Sequence, residues 1–267
     1  MVRKLSLIFV VLVLATSAQA VVIPTHSYIF AGSTTDTGSA ANKAHGALVG
    51  AATINEDGEL VLDTLGEYMT MNGATIAINT YTEVTLEFWA TNFINNGYTM
   101  TAAFGDNWAN GLGKDYLCLT NGRGDNVTRA AIALTPDNAS PWADELGVNG
   151  PELNDSIEHH YVLTIGVVPC LCDTAMITLY MDGQIRGLYN MLNYTLAGVS
   201  NALAYLGRGM YTGDPTYRGT IEEYNIYDQA LTCEEVKANY LAGPQIPEPA
   251  TMVLLGLGSL VLIRRRK

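Results

Sequence analysis

The sequence predicts an all-β chain of short antiparallel strands closed over one core, with a single short helix near the C-terminus. Three observations carry this. From Ser27 to Asp228 the chain divides into apolar or alternating runs of four to ten residues, separated by clusters of Gly, Asn, Asp and Thr. Many short strands between frequent turn signals make a sandwich or barrel. The 267 residues are 48% hydrophobic and only 15% charged, with 26 glycines, which argues against disorder and favours strands and turns over helices.

The N-terminus reads as an address. Arg3 and Lys4 precede an apolar run, Leu5–Ala15, and the small-residue site Ala18-Gln19-Ala20. This is the order of a secretory signal peptide, residues 1–20, cut after Ala20. The run is shorter than the roughly 20 residues a membrane-spanning helix needs.

The body follows, residues 21–245. Strands are predicted at Ser27–Phe30, Leu60–Asp63, Tyr68–Met71, Val84–Thr91, Thr99–Phe104, Tyr116–Thr120 and Arg129–Thr135. Further strands are predicted at His159–Val168, Met176–Met181, Gln184–Tyr189, Leu203–Gly207 and Gly219–Tyr227. Alternation assigns the faces. Val84, Leu86, Phe88 and Ala90 form a core face, and Trp89 on the opposite face is read as a second buried contact. In His159–Val168 the core face is Tyr161, Leu163, Ile165 and Val167. Asp182-Gly183 supplies the positive φ angles of a tight hairpin. The polar, turn-rich stretch 136–157 is read as a long surface loop. Thr232-Cys233-Glu234-Glu235 is a capping box, so a helix starts there and runs to about Leu241, before Gly243-Pro244.

Charge limits the partners. The first 20 residues carry two basic groups, and the last 22 carry four basic groups and one acid. The 225 residues between them hold 8 basic and 25 acidic groups, a formal −17. Such a body is a poor nucleic-acid binder, because neutralising phosphates needs clustered Lys and Arg. The four cysteines, Cys118, Cys170, Cys172 and Cys233, are an even count in an exported chain and predict two disulfides. Three pairings are open. Bridging Cys170 to Cys172 is the least favourable, since residues i and i+2 of a strand lie about 6.5–7 Å apart.

The C-terminus, residues 246–267, runs Pro247-Glu248-Pro249, an apolar stretch Ala250–Ile263, then Arg264-Arg265-Arg266-Lys267. This order resembles the PEP-CTERM sorting signal. The resemblance implies processing by an exosortase-type membrane enzyme and export to the surface or extracellular polysaccharide matrix of a Gram-negative bacterium. The basic cluster fits the positive-inside rule, so this segment supplies a transient inner-membrane anchor and the body has no other membrane contact.

The body carries a second resemblance. Asp57–Asp63, Gly66–Met71 and Val84–Trp89 follow one another as in concanavalin A-like lectin/glucanase domains of the laminin-G-like type. His159–Thr164, the hairpin Ile177–Gly183 and the closing Gly219–Thr232 with Glu234-Glu235-Val236 are similar to that family's second half. The resemblance implies a jelly-roll β-sandwich of two antiparallel sheets, often binding carbohydrate and often calcium. A calcium site would use Asp36 and Glu222, with Glu222 standing where the family has aspartate. The loop holding Tyr211, Asp214 and Tyr217, together with Trp108 and Trp142, gathers the aromatic faces and polar groups that sugars favour, and is the expected carbohydrate-binding edge.

No catalytic residue is assigned. Glycosidases need two carboxylates, about 5–5.5 Å apart for retention or about 6.5–9.5 Å for inversion. The family's hydrolase branch places them on one strand as Glu-x-Asp-x-(x)-Glu, a spacing this sequence lacks. Glu222 and Glu223 point to opposite faces, and His159 and His160 fit structural positions. The expectation is therefore an exported surface or matrix protein with a non-catalytic carbohydrate-binding or adhesion domain. A divergent glycoside hydrolase of the same fold is the alternative.

Overall fold

The computed structural model describes residues 22–245, apart from 95–96, 122–126, 135–141, 143, 152–154, 172 and 192–193. The signal peptide and the sorting signal lie outside the described residues. Within them, fifteen strands form two sheets, and every pairing is antiparallel.

Sheet A runs β13 (Gln184–Asn190), β12 (Ala175–Met181), β11 (Glu158–Val167), β6 (Val84–Asn92), β15 (Gly219–Tyr227), β4 (Leu60–Leu62) and β3 (Thr53–Ile54). β1 (His26–Tyr28) pairs with the second half of β15, whose first half pairs with β4. Sheet B runs β10 (Leu146–Asn149), β9 (Arg129–Ala133), β8 (Gly113–Thr120), β7 (Ala102–Asn107), β14 (Leu203–Leu206), β5 (Tyr68–Met71) and β2 (Ala47–Val49). The predicted jelly-roll sandwich is thus the observed one.

The core lies between the sheets. From sheet A come Leu86, Phe88, Tyr161, Leu163, Ile177, Tyr224 and Ile226; from sheet B come Phe104, Leu117, Leu119, Ile132 and Leu206. These side chains leave alternate residues on each sheet's outer face. On sheet A that face is also covered. α2 (Cys233–Ala242) lies across it, which is why Thr85, Glu87 and Trp89 are as buried as their inward neighbours. The expected second contact of Trp89 is its stacking with His160 (centroids 4.8 Å apart) and Tyr240 (5.9 Å). The capping box forms as expected: the Glu235 amide donates to the Thr232 hydroxyl, and the Thr232 amide donates to the Glu235 carboxylate. Asp182 (φ 52°) and Gly183 (φ 67°) make the hairpin turn.

Several expectations are corrected. The stretch read as a surface loop, 136–157, contains β10, the edge strand of sheet B on β9. Four residues with only Leu146 and Val148 apolar give too short an alternation to read. β2, β3 and the single-turn α1 (Gly73–Ile76) are equally short. Among the described residues one disulfide is seen, Cys170–Cys233, joining the β11–β12 turn to the start of α2. Cys118 is a buried thiol rather than half of a second bridge. It points from β8 to the outer face of sheet B, across the sandwich from Cys233. Cys172 lies outside the described residues.

Candidate functional site

The alternation of β8 sends Leu117 and Leu119 into the core and Tyr116, Cys118 and Thr120 to the outer face of sheet B. There they floor a groove of about 640 Å³. Tyr98, Trp142 and Tyr211 rise along it, and Arg129, Glu145, Asn149 and Asp214 supply its polar groups. Trp142 is 57% exposed and Tyr98 61% exposed, so aromatic surface at the rim faces water.

Backbone register assembles the polar end. Arg129 opens β9 and pairs with Asn149 of β10. Its guanidinium lies over Gly147, where a Cβ would come within 2.1 Å of Arg129 Nη2, so a side chain there would displace the guanidinium from this place. Arg129 Nε donates to Glu145 (2.6 Å) and Nη1 donates to Asn149 Oδ1 (2.6 Å). The Tyr116 hydroxyl donates to the other Glu145 oxygen. Burial, then the Glu145 charge, push the Tyr116 hydroxyl far above its usual range, so it stays protonated. Tyr211 stands edge-on to Tyr116 (5.7 Å) and 6.1 Å from Trp142. Burial holds its hydroxyl at about 12. Gly113 leaves the space that the Tyr211 ring fills, since a Cβ there would come within 2.7 Å of Cε2. The result is a row of aromatic faces beside fixed hydrogen-bonding groups, the pairing that suits sugar C–H faces and hydroxyls.

Of the expected binding residues, Trp142, Tyr211 and Asp214 line this groove. Trp108 does not. It sits in the β7–β8 hairpin with Lys114 Nζ 4.3 Å above its ring. Tyr217 is corrected outright: it is fully buried and its hydroxyl donates to the Thr91 carbonyl (2.9 Å). Tyr116, Arg129, Glu145 and Asn149 were not foreseen. The β8 alternation could have offered Tyr116. The other three meet only through the unforeseen β10.

The expected calcium pair, Asp36 and Glu222, has different partners at each member. Asp36 is buried, and its carboxylate accepts from His26 Nδ1 (2.7 Å) and the amides of Ser27, Gly38 and Ala44. Burial raises its pKa, but these donors outweigh that and hold it below the usual aspartate range. With its oxygens so occupied, Asp36 does not fit a cation site. Glu222, at the β15 bulge, instead meets Glu59 and Glu158, with carboxylate oxygens all within 4.8 Å of one another. Burial and then Glu222 push Glu158 up to about 8. Three clustered carboxylates are the oxygen-donor chemistry that calcium takes.

Under α2, on the outer face of sheet A, lies a closed polar network. The Glu87 carboxylate contacts His160 Nε2 (2.8 Å) and accepts from the Tyr227 hydroxyl (2.6 Å) and Asn239 Nδ2 (3.0 Å). The Gln245 amide donates to Glu223 (2.7 Å) beside it.

Residues 63–237 match the concanavalin A-like lectin/glucanases superfamily. The chain belongs to that superfamily. Residues 245–267 match the PEP-CTERM protein-sorting motif, so this concanavalin A-like protein is exported and surface-sorted, with exosortase processing implied. Among the described residues no helix is long and apolar enough to cross a membrane. No curated protein matches the chain.

Solved structures share the fold. Domain 4 of AbnA, a GH43 extracellular arabinanase from Geobacillus stearothermophilus, in complex with arabinotriose, is similar with TM-score 0.60 and 18% identity, over 81% of this chain and 97% of that one. The CBM40 of the Ruminococcus gnavus IT-sialidase, bound to α2,3 sialyllactose, is similar with TM-score 0.54 and 12% identity, over 67% and 95%. The botulinum neurotoxin serotype G binding domain gives 0.57 and 14%, over 82% of this chain and 51% of that one.

Proposed function

We propose that this is a non-catalytic carbohydrate-binding protein of the cell surface or extracellular polysaccharide matrix, which holds glycan in the groove on sheet B. The observation that carries the reading is the side-by-side placement of the Trp142 and Tyr211 rings with the Arg129–Glu145–Asn149 network. Sugar-binding domains among the structural neighbours support it as fold-level analogy. The sorting motif supports placement at the surface of a Gram-negative bacterium, reached through transient inner-membrane anchoring.

Cleavage is not part of the reading. In the groove both Glu145 oxygens are taken up, one by Arg129 and the other by the Tyr116 hydroxyl, so the carboxylate serves to position the groove wall. A calcium ion, where bound, belongs on Glu59, Glu158 and Glu222 and would steady the sandwich there, away from the groove.

Affinity electrophoresis against neutral polysaccharides, arabinan among them, tests the proposal. Retardation of the protein that Trp142→Ala weakens about tenfold is the expected result. Release of new reducing ends from any retained polysaccharide would favour the hydrolase reading instead. Retention of none would remove the binding role.

A further inference from the structure

A second hollow of about 300 Å³ shares Asp214 with the groove. It lies between the 63–67 turn and the 207–217 loop. Its walls are fixed: the Gly66 amide donates to Thr216 Oγ1 (2.8 Å), and the Gly207 amide donates to the Thr101 carbonyl (2.7 Å). Arg208 enters this hollow with its guanidinium carbon 4.8 Å from the Tyr68 ring centroid and 5.6 Å from that of Tyr205. The two rings meet edge to face at 5.3 Å, forming a rigid floor.

Arg208 has no ion-pair partner among the described residues. The buried acid of the same turn, Glu67, is committed to the amides of Asp63 (2.8 Å) and Thr64 (2.9 Å). Cation–π contact engages the faces of a guanidinium and leaves its in-plane N–H donors available. Those donors match a planar carboxylate, which Arg holds in a fork. Asp214 lines both hollows and offers only acceptors, which suit sugar hydroxyls.

We propose that this hollow is a second subsite for a carboxylate-bearing sugar, a uronic acid or other acidic monosaccharide, whose neutral neighbours in the same chain occupy the main groove. The inference rests on the groove being a glycan site. The formal −17 of the body disfavours a densely charged polyanion. It does not disfavour an isolated carboxylate in contact with Arg208, because repulsion from surface charges is screened beyond about 10 Å at 0.1 M salt and Asp214, the acid that lines the hollow, is assigned to the hydroxyls and not to the carboxylate. The ligand is therefore a sparsely acidic heteroglycan.

The test is an NMR titration of the protein with sodium glucuronate, glucose and sodium acetate at equal concentrations, read at the Arg208 Nε–H and the Tyr68 and Tyr205 rings. Glucuronate is expected to move these signals well beyond either control. Arg208→Gln should weaken the response about tenfold or more, the loss of a charge-assisted contact. Arg208→Lys should fall between. Equal responses to glucose and glucuronate, equal responses to acetate and glucuronate, or no response would each overturn the proposal. A parallel titration with arabinotriose, read at Trp142, reports on the main groove alone. Response there without a glucuronate response at Arg208 rejects the second subsite and keeps the groove. A glucuronate response without any neutral-sugar response at Trp142 rejects the groove and, with it, the joint occupancy proposed.

Discussion

Nε2 of His160 lies 2.8 Å from Oε1 of Glu87, with both side chains shut away from solvent between sheet A and α2. Burial pushes the Glu87 carboxyl up, yet the donors from His160, Tyr227 and Asn239 outweigh it and hold the group below the usual glutamate range. A buried charge is tolerable only when it is paired and hydrogen-bonded in this way.

Removing the acid should therefore be severe. Glu87→Ala strands His160, Tyr227 and Asn239 at once, and should cost roughly 3–5 kcal/mol by urea unfolding. Glu87→Gln keeps an acceptor and should cost less. Because the folded pKa is depressed, this contribution is complete above the unfolded glutamate value and disappears as pH falls through the folded one. A flat acid limb in the wild-type stability curve, with no difference from Glu87→Gln, would contradict this.

The acid cluster of Glu59, Glu158 and Glu222 predicts the opposite slope. Glu158 is held at about 8, above its usual value, by burial and by Glu222. Its contribution is complete below the unfolded value, near 4.3, and is lost as pH rises toward 8. Stability should therefore fall across that window in the wild type and fall less in Glu158→Gln. Calcium added at the alkaline end should raise the melting temperature of the wild type more than that of Glu222→Gln, by mass action on the folded state. Equal shifts in both would place the ion elsewhere.

The bridge Cys170–Cys233 closes a loop with a sequence separation of 63. On the chain-entropy account a loop of that size is worth about 4 kcal/mol. Cys233→Ser should lose roughly that amount, and a reducing agent should lower the melting temperature of the wild type but barely move the variant.

In the groove, exposure separates binding from stability. Trp142→Ala should weaken glycan binding by about 1–2 kcal/mol, near tenfold, with little change in melting temperature. Tyr217→Ala should do the reverse, because that ring is fully buried in the core and leaves a cavity when removed. Calorimetry on both variants, for binding and for unfolding, checks the pair.

The strands with strong local signals were legible: Val84–Asn92 and Gly219–Tyr227 announce themselves by alternation, and the Asp182-Gly183 turn by its chemistry. The core face of β6 followed directly. That Tyr211 and Asp214 share a groove was legible because aromatic and polar residues cluster in sequence there, whereas Trp142 joins them from the distant 136–157 stretch. Tyr217 was misread for the same reason, since composition cannot say which ring turns inward. Arg129, Glu145 and Asn149 were illegible because only the pairing of β9 with the four-residue β10 brings them together. Asp36 and Glu222 failed as a pair because backbone amides, which leave no trace in a residue pattern, fill the carboxylate of the first.

The amide of Gln245 rests on Glu223, behind sheet A, whereas the Trp142–Tyr211 groove opens in front of sheet B. The last described residue and the groove thus lie on opposite faces of the sandwich. Whatever is joined to the chain beyond Gln245 therefore starts from the covered back of the molecule and leaves the aromatic front unobstructed at that point.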